Sequence, residues 1–171
     1  MKLDEITDEL SCILKSPDVR GVLTPMIAQM EHSLSVQSDQ PQVWKSLPLD
    51  FLPCKLPSGI LSCWLFVLRA NAKFGAERHP NSHQRSVALS GSALFELFER
   101  GSWISWPLTG GAAEPGSASA ISIPPSVWHR IQIGAENFVS ASFHTIPVEQ
   151  LIEETPIGDN LSVTKQRRYH A

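Results

Sequence analysis

Between Gly75 and Gly91 the chain places Glu77 and His79 two residues apart, a spacing that puts both side chains on one face of a β-strand and lets both reach one ion. A Pro80-Asn81-Ser82 turn follows, then His83 and Gln84, and much later in the chain His129 stands at the mouth of another strand, behind Pro124-Pro125-Ser126-Val127-Trp128. Of the six histidines, His79, His83, His129 and His144 all fall in this strand-rich region. No residue stands out as an activated nucleophile and no Ser, His and Asp set is legible, so covalent catalysis is not favoured.

The elements that must position these groups follow from periodicity. Strands are expected at 60–70, 85–89, 93–99, 103–106, 120–123, 129–133 and 138–145, short and separated by turn residues. Without helices between them, they point to an antiparallel sandwich or barrel. Before them, Leu3, Ile6, Leu10 and Ile13 recur at helical spacing up to a stop at Ser16-Pro17. A second short helix is expected to open at Thr24-Pro25, with Ile27, Met30 and Leu34 as its buried stripe. Residues 35–57 read as a wandering connection that brings Trp44 onto the body of the fold. Gly110 to Ser119 reads as a surface loop. Pro147 is expected to open a brief helix through Glu154, and the tail from Asp159 to be solvated or used at a subunit contact.

Composition bounds the answer further. The 171 residues fit one domain, and with 42% hydrophobic and 18% charged residues the chain can bury a core. A formal net charge of -3 lacks the basic balance that holds a phosphate backbone, so nucleic acid is not an expected partner. The acidic start, Met1-Lys2-Leu3-Asp4-Glu5, is unlike a signal peptide, and no apolar run reaches membrane-spanning length, so a cytoplasmic protein without a membrane partner is expected. Cys12, Cys54 and Cys63, an odd count without a paired motif, read as reduced core thiols.

The joint pattern resembles the cupin superfamily, small jelly rolls marked by two motifs. In the first, Glu77 takes the first histidine's slot, His79 matches the second, Gln84 takes the acid's place and Gly91 closes the motif. In the second, Pro124 leads through Ser126, in the glycine slot, to His129. The resemblance implies an all-β cupin-like double-stranded β-helix or jelly-roll barrel at 44–147, an N-terminal helical extension at 1–43, and a C-terminal helix and tail at 148–171. It implies a divalent transition metal, Fe, Mn, Ni or Zn, held by Glu77, His79 and His129, with Gln84 as a weak fourth ligand or His83 in its place through a bulge. Two alternatives stay open at Glu77, which can instead pair with Arg78, Arg85 or Arg130 at the surface. Ser140, Ser142 and His144 share one strand face, which lines the cavity or meets water. Trp128 at the pocket mouth, His144, Ser142 and Arg85 are the expected ligand-pocket residues. The function implied is a metal-dependent enzyme on a small organic molecule, of dioxygenase or isomerase type. The alternative is a non-catalytic small-molecule binding or sensing module, with or without metal. A homodimer is expected.

Overall fold

Helix α1 (Glu5–Lys15) begins because Asp4 can cap it: the Asp4 carboxylate accepts from the Thr7 N–H and hydroxyl. Ser16 ends α1 and at once caps α2 (Pro17–Val36), its hydroxyl accepting from Val19 N–H while Pro17 occupies the first turn. The second helix therefore starts well before Thr24, and the expected start at Pro25 is corrected. Pro25 lies inside the helix, four residues after Gly21, whose carbonyl is the one a proline ring displaces. Ser16-Pro17 reads as a stop in the sequence because a stop and a start share those two residues.

The computed structural model describes residues 4–111, 118–158 and 160–169. Leu3 and most of the Gly110 to Ser119 loop lie outside them. The strands are β1 (Gln42–Leu47), β2 (Ser62–Leu68), β3 (Lys73–Glu77), β4 (Gln84–Ser90), β5 (Ser92–Glu99), β6 (Ser102–Thr109), β7 (Ala120–Ile123), β8 (His129–Ile133), β9 (Phe138–His144), β10 (Ile152–Ile157) and β11 (Asn160–Arg168). One antiparallel sheet runs β1-β2-β9-β4-β7 and a second runs β3-β8-β5-β6, while β10 and β11 form a hairpin of their own. The two larger sheets make the expected jelly roll.

The five-stranded sheet is covered on both faces, and residue parity decides which side chain goes where. Cys63, Leu65 and Val67 of β2 and Val139, Ala141 and Phe143 of β9 pack against Leu10, Leu14, Val19, Leu23 and Leu34 of the helices. Each such buried aliphatic side chain is worth roughly 1.5–3 kcal/mol. The alternate residues, Trp64 and Phe66 on β2 and Ser140, Ser142 and His144 on β9, line the barrel interior. With the apolar face of β9 already under the helices, its polar stripe faces the cavity and not water. A second core, with Phe95, Leu97, Ile121, Ile133 and Phe138, closes the barrel's far end.

Two expectations are corrected. After Pro147 only one 3-10 turn forms (Val148–Gln150), and the residues read as a C-terminal helix and tail are the β10–β11 hairpin. The β-branched Ile152, Thr155 and Ile157 suit a strand, and Pro156 forbids a helix interior. Of the three free cysteines only Cys63 is buried, whereas Cys12 is exposed on α1. Among the described residues no helix is long and apolar enough to cross a membrane.

Candidate metal centre and its cavity

Glu77 is the last residue of β3 and lies directly opposite His129, the first residue of β8, after a register shift between Phe74 and Glu77. That irregularity re-aims the strand end, as bulges do beside functional sites. Glu77 Oε1 stands 3.3 Å from His129 Nε2 and 4.0 Å from His79 Nε2. The turn before β8 is tied to the first motif: the N–H of Ser126 donates to the His79 carbonyl at 3.0 Å. Ser126, in the slot where the motif has glycine, adopts φ +66°, and Gly91 adopts φ +72° with Asn137 O only 2.2 Å from where a Cβ would sit.

The histidine tautomers are fixed by backbone. His79 Nδ1 lies 3.1 Å from the Ile152 carbonyl and His129 Nδ1 3.2 Å from the Val127 carbonyl. A carbonyl only accepts, so each Nδ1 carries the proton and each Nε2 presents a lone pair toward Glu77. His129 Nε2 and Gln84 Oε1 are buried without a hydrogen-bond partner among the described residues. Four acceptors, the Glu77 carboxylate, two imidazole nitrogens and the Gln84 amide oxygen, thus line one cavity with no donor among them. Such a set requires a proton or a cation, and the ligand types suit a divalent transition ion.

Ionisation agrees. Burial pushes His79 down to about 4, with Glu77 opposing the shift. Burial, His79 and His129 push His144 well below the ordinary histidine range. Burial alone would raise Glu77, but positive charge placed on its histidine side, by a proton or a cation, together with the charge of Arg167, outweighs it and holds the carboxyl below the usual range. The Glu77 side chain keeps 38% of its exposure, so it opens onto space where a ligand can sit.

The three arginines expected as surface partners of Glu77 are engaged elsewhere, and the arginine whose charge reaches it is Arg167, across the cavity. Arg78 binds Glu154 at 2.6 Å, Arg85 binds Asp4 at 2.8 Å and Arg130 binds Glu96 at 2.6 Å. Adjacent residues on a strand point to opposite sides, which sends Arg78 outward as Glu77 turns in.

The same parity sorts the other candidates. Gln84, Ser142 and His144 line the cavity with Glu77, His79 and His129. Gln84 donates to Ser86, which bonds Ser142, and Ser82 Oγ lies 3.2 Å from His144 Nδ1. Residue 85 points the other way: Arg85 lies under α1 and is not a pocket residue, its guanidinium bound to the capping Asp4. His83 reaches Ser122 Oγ at 2.8 Å on that same outer side, so it does not stand in for Gln84. Trp128 is 6% exposed and lies under the Arg78 guanidinium, outside the cavity lining.

The cavity measures about 110 Å³, its apolar walls formed by Trp64, Phe66, Phe74, Phe95 and Ile131. The hairpin adds what the sequence reading missed: Glu153, Arg167 and Tyr169 close one side. Tyr169 Oη and Arg167 Nη2 both donate to Glu153 Oε2, and Tyr169 packs edge-on against Trp64 with ring centroids 4.2 Å apart. Burial and the charge of Glu77 push the Glu153 carboxyl up. The available signal was the β-branched content at Ile152, Thr155, Ile157, Val163 and Thr164, masked by Glu149, Glu153 and Glu154, which read as helical.

No protein-family profile and no curated protein sequence matches this chain. Solved structures do. The coconut allergen cocosin superposes with a TM-score of 0.54 at 20% identity, covering 70% of this chain and 30% of its own. Pumpkin seed globulin gives 0.53 at 19%, covering 68% and 28%. A Lactobacillus farciminis oxalate decarboxylase, solved as its formate complex, gives 0.50 at 15%, covering 64% and 30%. The barrel has the cupin fold. This chain spans less than a third of the length of each of those proteins. Seed globulins and a decarboxylase share the cupin barrel, so the fold alone does not choose an activity.

Proposed function

We propose that this cupin barrel binds one divalent transition metal, Fe, Mn, Ni or Zn, through Glu77 Oε1, His79 Nε2 and His129 Nε2, with Gln84 Oε1 as a weak fourth ligand, and acts as an enzyme on a small organic molecule. The observation that carries this reading is the 3.3 Å approach of Glu77 Oε1 to a histidine nitrogen whose proton is committed to the opposite ring position. A cation between them turns mutual repulsion into ligation. Three protein ligands leave coordination positions open toward the cavity, the arrangement of a catalytic and not a structural site. When bound, the ion supplies Lewis acidity or an oxygen-binding centre. The chain's own groups then exclude water with the aromatic wall, hold the imidazoles in one tautomer through Ile152 and Val127, and keep His144 neutral beside the ligand space. Dioxygenase and isomerase chemistry both fit this description.

A second reading, a non-catalytic binding or sensing module, is favoured by one feature, the neutral Gln84 where the motif carries an acid. We also propose a homodimer: β6 ends its sheet with Ile104 40% exposed, an edge that a second copy can cover. The test is elemental analysis of protein purified without an affinity tag, together with light scattering. A stoichiometric transition metal supports the enzyme; a metal-free protein that retains a small molecule supports the sensor. A monodisperse monomer contradicts the dimer.

A further inference from the structure

The hairpin β10–β11 makes part of the cavity wall, and its contribution is chemically specific. Arg78 and Glu154 pair as an antiparallel bridge, with backbone bonds of 3.0 and 2.9 Å in both directions. The next residues across that bridge are His79 and Glu153, and both side chains line the cavity, while Arg78 and Glu154 pair with each other. Glu153 is 8% exposed. Its side-chain bonds from Tyr169 and Arg167 both fall on Oε2, so among the described residues Oε1 carries none. That oxygen, on a side chain that lines the cavity, is therefore free to accept from a molecule held there. On the same side, Trp64 is 2% exposed, lines the cavity, packs on Tyr169, and has an indole N–H without a partner. A free acceptor on Glu153 and a buried, unsatisfied donor on Trp64, on either side of the Tyr169 ring, match a group that both donates and accepts. A hydroxyl does both, a methyl neither, and an ammonium only donates.

We infer that Glu153 contacts the substrate, accepting a hydrogen bond from a hydroxyl on a small molecule whose other end binds the metal through oxygen. The substrate class is a small hydroxylated carboxylate or a similarly bifunctional molecule. This rests on the metal reading for the anchored end, whereas Glu153 sets selectivity at the other. A purely structural Glu153, holding the hairpin together through Tyr169 and Arg167, would leave that selectivity unmoved.

The test uses full-length protein and two probes of nearly equal size, 3-hydroxypropanoate and butanoate, which differ by a hydroxyl in place of a methyl. Manganese uptake is measured first for the wild type, Glu153→Gln and Glu153→Leu, so failure of the metal centre is seen by itself. Each probe is then titrated calorimetrically into the metal-loaded proteins, or into metal-free protein if no ion binds. The wild type should hold 3-hydroxypropanoate about tenfold or more tighter than butanoate, as loss of a hydrogen bond to a charged group implies. Glu153→Gln, which keeps a neutral acceptor, should retain a smaller preference, and Glu153→Leu none. Equal affinities in the wild type, absence of binding by either probe, or a preference that survives in Glu153→Leu would each overturn the inference. A thermal melt of each variant, with loss of stability but unchanged probe selectivity, would assign Glu153 a structural role and overturn it as well.

Discussion

Glu77 and Arg78 are neighbours in the chain and opposites in the fold: Glu77 faces His129 across the β3–β8 pair and His79 two residues on, while Arg78 turns outward to Glu154 and the Trp128 ring. An acid and a base one residue apart would be read at the surface as a local ion pair. The strand separates them, and the separation leaves a carboxylate among acceptors inside the barrel.

Acid should destabilise the metal-free protein earlier than carboxylate protonation explains. His79 is held at about 4 in the folded state against 6.5 ordinarily. Between those values the unfolded chain binds the proton and the folded protein does not, so stability falls as pH drops from 6.5 toward 4 and is flat above. His79 alone contributes a loss of about 2 kcal/mol between pH 7 and pH 5, and buried His144 acts in the same direction. Urea midpoints of chelator-treated protein at those two pH values check this; an unchanged midpoint contradicts it.

The helices act as the outer wall of the five-stranded sheet. Leu14, 1% exposed, packs into the cluster with Leu65, Val67 and Phe143. Leu14→Ala should lower unfolding free energy by about 2–5 kcal/mol without changing metal uptake. Equilibrium denaturation with a parallel metal titration decides it, and a loss below about 1 kcal/mol, under the range for a core cavity, would show the helices to be loosely docked.

The three thiols should differ in reactivity and matter to neither fold nor metal. Burial pushes the Cys63 thiol far up, and the residue is fully enclosed, while Cys12 is exposed. Native alkylation followed by mass spectrometry should label Cys12 and spare Cys63. Metal uptake lost on replacing all three by Ala, with the fold intact, would contradict the cysteine-free ligand set.

Much of the barrel was legible because its strands are short and alternate cleanly; β7 and β8 fall at the expected residues, and β9 within one. Strand spacing joined Glu77 to His79, and the resemblance to the cupin motifs added Gln84 and His129, all four of which line one cavity. Parity beside the motif was not legible: only the helices packed on one face show that Gln84 turns inward and Arg85 and His83 outward. The hairpin was lost for another reason. Glu149, Glu153 and Glu154 around Leu151 carry helical propensity, and what overrides it is the pairing of β10 with residues that follow it and with Arg78 far before it. Glu153 was missed with it.

The most direct measurement is manganese binding by equilibrium dialysis at neutral pH, on the wild type, His79→Ala and His129→Ala. One ion per chain is expected in the wild type, with an ion present at about a hundredfold its Kd stabilising the fold by about 2.7 kcal/mol. Either alanine variant removes one of the two imidazoles and should weaken binding by about a hundredfold or more, while the core formed by Leu65, Val67, Leu97 and Ile133 keeps the barrel folded. A wild type that binds no divalent transition metal, or two alanine variants that bind it as tightly as the parent, would contradict the metal centre outright.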